Sequence, residues 1–300
     1  MNIRDLEYLV AVHDMNNFSR AAELCNVSQP TLSGQLKKLE VDLDASLMER
    51  STRRVLFTPV GKSVVEHARH VLSMVDKIHD LASVSEDPTS GDFNIGLLPS
   101  VGPFLLPKLM PTLTKKYPKM NLFLYELQKN KLIDKLLAGD LDAVIVSKKK
   151  WSSTVKEIPL YKEKLLLATS SDDVLSKKTE VDNKALKGRQ LLMLEDGYCL
   201  RDEALQLCTK AGIKEDHRFK ATSIDTLLHM VKSSKGITLI PELACDQKVE
   251  GLSFVNYNSS KAKRDIVMLT RKDSFRNESL ELLAQAIKET VDQEFNLIDA

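Results

Sequence analysis

Ser28-Gln29-Pro30-Thr31 stands immediately before an apolar repeat at Leu32, Leu36, Leu39 and Leu43. That order predicts a helix start. A serine oxygen can accept a first-turn N–H, and a proline in that turn gives up only a donor that would go unpaired anyway. Upstream, Ile3, Leu6, Leu9 and Val10 repeat at helical spacing over residues 2–14, and Ser19 is placed to cap a short helix from Arg20 to Leu24. Only Cys25-Asn26-Val27 separates that short helix from Ser28, so the chain must turn tightly. A short helix, a tight turn and a helix with a polar outer face form a helix-turn-helix. The outer face carries Gln29, Thr31, Ser33, Gln35, Lys37 and Lys38. Their amides and hydroxyls match base edges, and the lysines match phosphates. Leu47–Arg50 and Val55–Thr58 then read as two short strands, joined by the basic tip Ser51-Thr52-Arg53-Arg54. Such a wing reaches phosphate or the minor groove.

The chain has 300 residues, enough for two or three domains, and a formal net charge of +1. Nucleic-acid binding must therefore come from a local patch. No apolar run approaches the roughly 18 residues of a membrane span. The charged start Met1-Asn2-Ile3-Arg4-Asp5 lacks a signal-peptide core, so a cytoplasmic protein is expected. In a reducing compartment Cys25, Cys199, Cys208 and Cys245 are not a disulfide framework, and their spacing is not that of a zinc site. No metal or cofactor is expected.

From Pro59 a long helix is expected to about Ser85, with Val64, Ala68, Val71, Val75, Ile78 and Ala82 spaced 4, 3, 4, 3, 4 as a dimerising heptad seam. The polar stretch Glu86–Gly91 reads as a boundary. Beyond it strands alternate with helices: strands at Phe93–Leu97, Leu122–Tyr125, Ala143–Val146, Lys164–Ala168, Leu191–Leu194, Gly236–Pro241 and Ile266–Leu269, and a last helix from Asn277 to Val291. Lys164–Ala168 is expected to open a second set, and the last strand and helix to return to the first. The fold class is thus an α/β effector domain of two Rossmann-like subdomains, similar to periplasmic binding proteins, preceded by an all-α winged helix-turn-helix and a linker helix. The expected boundaries are 1–60, 61–90 and 91–300. Subdomain I takes 91–162 plus 267–300, and subdomain II takes 163–266.

Cys199-Leu200-Arg201-Asp202-Glu203-Ala204-Leu205-Gln206-Leu207-Cys208 reads as one helix. Nine residues of helix separate the two thiols by roughly 13.5 Å along the axis. A disulfide needs Cα atoms about 5.5–6 Å apart, so the bond can form only if the segment unwinds. Leu200, Ala204, Leu207, Cys208 and Ala211 share a face, which directs Cys208 to the core. Cys199 follows the turn Glu195–Tyr198 at the helix start. The helix N-terminus and Arg201 favour its thiolate, whereas Glu195 and Asp196 oppose it. A thiolate attacked by peroxide gives a sulfenic acid that a second thiol condenses with, Cys199 attacking and Cys208 resolving. Two packed cysteines without chemistry remain the alternative from spacing alone.

Residues 1–60 resemble the winged helix-turn-helix of LysR-type transcriptional regulators. The likeness is carried by Phe18-Ser19-Arg20-Ala21-Ala22, Val27–Ser33, Leu36, Leu39-Glu40, Leu43, Arg50 and Pro59-Val60-Gly61. It implies that Gln29, Pro30 and Ser33 approach bases, and that Thr31, Lys37, Arg50 and Arg53 approach the DNA backbone. Leu192–Gly197, Cys199–Asp202, Cys208, Ala221-Thr222-Ser223 and Pro99 through Pro107 resemble the hydrogen-peroxide-sensing members of that family. That resemblance implies a peroxidatic Cys199 and a resolving Cys208. It further implies reduced and disulfide forms that bind DNA differently, a homotetramer built as a dimer of dimers, contacts with RNA polymerase, and an external thiol reductant for reset. Ser100, Lys129, Tyr198, Asp202 and Arg271 are the candidate peroxide-pocket residues. Tyr198 stands where those members have a histidine, Ser100 and Lys129 where they have threonines, and His217-Arg218 where a histidine is displaced. Cys245 has no matching partner.

A regulator answering a small metabolite in the inter-subdomain cleft competes with this reading. So does a thiol peroxidase, which the helix-turn-helix argues against, so no enzyme is expected. The DNA reading predicts that Arg53→Ala weakens binding to every sequence and lowers the salt dependence by about one phosphate contact. Gln29→Ala should instead reduce discrimination between sites. Salt-dependent titrations on specific and random duplexes check both, and equal loss on the two duplexes for Gln29→Ala would remove its base-reading role.

Overall fold

Asn2 sets the first helix. Its side chain accepts the Asp5 N–H at 3.0 Å while Asp5 accepts the Asn2 N–H at 2.8 Å, a reciprocal capping box that starts α1 (Ile3–Met15). The computed structural model describes residues 1–50, 55–83, 87–208, 212–233, 236–246, 249–259 and 262–295. It divides into two units, the first centred on Met1–Val84.

In the first unit α2 (Phe18–Leu24) is capped by Asn17, not by Ser19. The Asn17 side-chain oxygen accepts the N–H groups of Ser19 and Arg20 at 2.9 and 3.1 Å, so the helix begins earlier than the serine alone suggests. Asn26, at φ 54°, makes the turn. Ser28 Oγ then accepts the Thr31 N–H at 3.3 Å, and α3 (Gln29–Asp42) starts with Pro30 in its first turn. Leu6, Leu9, Val12, Ala21, Ala22, Leu32, Leu36 and Leu39 close one core. Leu43, expected in that core, lies past the helix end and is exposed. β1 (Met48–Arg50) and β2 (Val55–Phe57) form an antiparallel wing. Glu40 ties it to α3 by accepting the N–H groups of Leu47 and Met48 at 2.9 and 3.3 Å.

α4 (Pro59–Ser83) passes so close to the wing that a Cβ on Gly61 would sit 1.9 Å from the Leu47 carbonyl oxygen. Only glycine fits there. The expected seam divides. Ala68 is buried in the unit's own core and Val64 packs on it, whereas Val71 and Ile78 lie exposed further along and Val75 is half-buried; the Ala82 side chain lies outside the described residues.

The second unit runs β3 (Gly91–Leu97), α5 (Gly102–Lys116), β4 (Met120–Glu126), α6 (Lys129–Ala138), β5 (Ala143–Ser147), β6 (Val155–Ser170), β7 (Glu180–Val181), α7 (Asn183–Leu186), β8 (Gln190–Leu194), α8 (Cys199–Cys208), β9 (Lys214–Ala221), α9 (Ile224–Ser233), β10 (Thr238–Pro241), β11 (Leu252–Tyr257), β12 (Lys263–Arg271) and α10 (Asn277–Phe295). The main sheet has the order β4-β3-β5-β12-β6-β11-β7, with β10 also on β6. Lys164–Ala168 opens the second set of strands as expected, but not as a strand of its own. It is the later part of the 16-residue strand β6, whose first part pairs with β12 and whose last part pairs with β10 and β11. β12 pairs antiparallel with β5, which returns the chain to the first set as expected. β8 and β9 form a separate parallel pair, and α8 is the crossover between them.

The exposed stripe on α4 predicts that Ile78→Glu lowers assembly while leaving the fold intact, because Ile78 is already 65% exposed within one chain. Light scattering should show a smaller species with an unchanged thermal midpoint. A normal oligomer would show that this stripe is not an interface.

Candidate functional site: a buried thiol beside a shared arginine

α8 places Cys199 in its first turn and Cys208 in its last, both buried and both free thiols. Leu200, Ala204 and Leu207 are buried with Cys208, so the helix is held by its apolar face as expected. The Gly197 φ of 94° allows the turn that precedes Cys199, and the Tyr198 carbonyl accepts the Arg201 and Asp202 N–H groups at 3.1 and 3.4 Å. The Tyr198 side chain is half-buried against the core.

The arginine whose charge acts on the thiol is Arg264 of β12, which the sequence reading missed. It is buried, and its Nε donates to Glu163 of β6 at 2.8 Å. Its two terminal nitrogens donate to Ser100 Oγ and to the Ser100 carbonyl, each at 2.8 Å. Ser100 thus holds the arginine with both of its oxygens. Glu163 also accepts the Leu243 N–H at 3.2 Å. A Glu203 oxygen lies 3.9 Å from the guanidinium on the α8 side.

Burial pushes the Cys199 thiol above its ordinary value, and Glu203 adds to this; Lys149, Lys129 and Arg264 pull it down. Lys129 begins α6, and Lys149 holds Asp202 at 3.6 Å. The structure therefore brings Ser100, Lys129 and Cys199 together with Arg264, and it puts Asp202 on one of the lysines. Two expectations are corrected. Arg201 does not serve the thiol: it donates to Glu215 at 2.6 and 3.2 Å and to the Leu194 carbonyl at 3.2 Å, and it pairs with Asp196 at 2.9 Å. Arg271 is at the other end of β12, seven residues or roughly 23 Å of strand from Arg264. It donates to the carbonyls of Leu136 and Leu141 at 2.7 and 2.6 Å. It is a structural arginine, and its charge is not among those that reach Cys199.

Cys208 has different surroundings. Burial pushes its thiol up to about 12, and beside it burial raises the Tyr257 phenol, again to about 12. Cys245 is also held up by burial, with Glu242 and Glu163 adding to it, and its Sγ donates to the Pro241 carbonyl at 3.4 Å. Cys25 is half-buried at the end of α2. Among the described residues no group of three or more His, Cys, Asp or Glu side chains could hold a metal ion. No described helix is long and apolar enough to cross a membrane.

On the first unit, Gln29, Pro30, Thr31 and Lys37 are exposed and Ser33 is half-buried. Thr31 shares a 2.7 Å hydrogen bond with Ser28 Oγ, so part of its polarity closes the cap. Arg53 and the Arg50 side chain lie outside the described residues.

Residues 3–62 match the profile of the bacterial regulatory helix-turn-helix protein, lysR family, and residues 86–292 match the LysR substrate binding domain. The chain is 43% identical over 300 residues to the DNA-binding transcriptional dual regulator OxyR of Escherichia coli K12, covering 99% of this chain and 98% of that one. Among solved structures, a full-length OxyR variant from Pseudomonas aeruginosa superposes with a TM-score of 0.74 at 31% identity, covering 96% of this chain and 95% of that chain. The oxidized form of OxyR gives 0.63 at 40% identity, covering 70% of this chain and all of that chain. Two matching profiles in the order of the two units, and relatives aligned almost end to end, lead to one conclusion: the chain belongs to the LysR family of bacterial transcriptional regulators.

Proposed function

We propose that this LysR-family chain binds double-stranded DNA through its winged helix-turn-helix, senses hydrogen peroxide through a reversible Cys199–Cys208 disulfide, and thereby controls antioxidant genes. It is a regulator and not an enzyme. The observation that carries the reading is a buried Cys199 in the first turn of α8, whose ionisation Lys149, Lys129 and Arg264 favour, with a second buried thiol at the far end of the same ten-residue helix.

The chemistry follows from that placement. The Cys199 thiolate attacks one peroxide oxygen, the O–O bond breaks, and the departing oxygen takes a proton and leaves as water. Sulfur is oxidised to the sulfenic acid. The Cys208 thiolate then attacks that sulfur, the S–O bond breaks, and the hydroxyl leaves with a proton as a second water. An external thiol reductant resets the pair by exchange. α8 cannot stay helical while the bond forms, since its two ends are about 13.5 Å apart along the axis. Oxidation is thus coupled to refolding of the segment between β8 and β9, and the refolded form presents a different surface to its partners.

The reading assigns residues 1–60 to DNA binding, 61–90 to a dimerising linker and 91–300 to redox sensing. Subdomain I takes 91–162 plus 267–300, and subdomain II takes 163–266. Gln29, Pro30 and Ser33 meet bases, and Thr31, Lys37, Arg50 and Arg53 meet the backbone. Ser100, Lys129, Tyr198 and Asp202 border the peroxide pocket. The working form is a cytoplasmic dimer of dimers that contacts RNA polymerase.

Peptide mapping after stoichiometric peroxide should find one Cys199–Cys208 disulfide and raised hydrogen exchange across residues 199–208. Cys199→Ser should abolish the change in DNA binding, and Cys208→Ser should leave Cys199 trapped as sulfenic or more oxidised acid. A Cys208 that stays a free thiol while DNA binding still changes would rule the two-cysteine switch out, leaving a sulfenate or a cleft ligand as the signal.

The pH dependence has a definite sign. Burial and Glu203 hold the Cys199 thiol above its ordinary value, and the thiolate is the nucleophile. Sulfenate formation in the Cys208→Ser variant should therefore accelerate as pH rises from mildly acid to alkaline. A rate that is flat across that range would show a thiolate already fully formed.

A further inference from the structure

Arg264 is one cation shared between two carboxylates. Glu163 takes its Nε, and Ser100 takes a donor from each terminal nitrogen. Glu203 arrives from α8 at 3.9 Å, beyond hydrogen-bond reach, and its Oε2 is buried with no hydrogen-bond partner. Such an oxygen is costly to leave unmatched. Glu203 is also four residues after Cys199 on α8, where side chains i and i+4 are neighbours about 5–6 Å apart at Cβ. The thiol and the orphaned carboxylate therefore lie on the same stripe of one helix.

We infer that Glu203 sets the peroxide threshold of this chain: its carboxylate competes with the Cys199 thiolate for the Arg264 guanidinium and so holds the thiol in its less reactive, protonated form. The charges facing this pair come from every side. Arg264 comes from β12 with Glu163 behind it on β6, Lys129 from the start of α6, and Lys149 from the loop after β5 with Asp202 attached. Before Cys199 ionises, the guanidinium already faces two carboxylates. A thiolate makes a third anion on one buried cation, with only the two lysines to balance it. Glu203 is a positioning residue in this scheme, since it acts on sulfur through charge and through Arg264 and touches no reacting atom. Replacing Glu203 with an uncharged isostere hands the arginine to sulfur.

The inference rests on Cys199 being the sensing thiol, and the test separates the two. Alkylation of full-length protein with iodoacetamide, followed by mass analysis of the Cys199 peptide over a pH series, reads thiol ionisation without any peroxide. Glu203→Gln should move that profile to lower pH by about one unit and raise alkylation below the midpoint about tenfold. Glu203→Asp, which keeps the charge, should stay near the parent profile. Peroxide titration of the same proteins should show Glu203→Gln oxidised at lower dose. An unchanged or upward-shifted profile in Glu203→Gln overturns the threshold role. So does an equal shift in Glu203→Asp, which would assign the effect to shape. If the alkylation shift is present and no variant oxidises at Cys199, the charge relation stands and the peroxide reading falls.

Discussion

One guanidinium organises the second unit of this molecule. Arg264 is almost wholly removed from water, and it donates fixed hydrogen bonds to β6 and to the loop after β3. Removing one partner of a buried pair of this kind costs about 3–5 kcal/mol, because the survivor is left charged and unmatched. The arrangement therefore constrains three elements at once. Ser100 must stay where both of its oxygens face the arginine, Glu163 must stay on the inward face of β6, and whatever α8 presents must be compatible with a cation that has little freedom to move. Cys199 is built onto this frame and does not define it.

Much of the DNA-binding half was legible because its signals are local. Ser28 with Pro30 fixes the start of α3, and the leucine repeat fixes its buried face. The misplaced cap at Ser19 shows the limit of such reading, since Asn17 and Ser19 are both good acceptors and only the path of the preceding chain chooses between them. The seam on α4 was half right for a related reason. A heptad pattern reports an apolar stripe without saying what covers it. Ala68 is covered by the unit's own core, while Ile78 is not.

The second unit was harder because its elements are joined by distant pairings. β6 was read only from Lys164 onward, since Lys156, Glu157, Pro159, Lys162 and Glu163 interrupt the apolar pattern of its first part. β9 is almost wholly charged or polar and gave no strand signal. The thiols, Ser100 and Lys129 were named as candidates from the sequence, but Arg264 was not. Arg264 and Arg271 occupy opposite ends of β12, and register alone decides which of them meets Cys199. One signal was present: Arg264 sits two residues before the apolar run Ile266–Leu269, on a strand that is mostly buried. A charge in such a strand must have a partner inside.

The position of α8 between β8 and β9 has a mechanical meaning. The two strands are parallel neighbours, so the chain that joins them must travel from the end of one back to the beginning of the other. A wound helix is the shortest way to store that length; the same residues unwound reach more than twice as far per residue. The segment bearing the thiols thus holds spare rope between two pegs. It can be re-spooled into a loop without lengthening the chain between the two strands, while the apolar face that α8 buries must then find other cover.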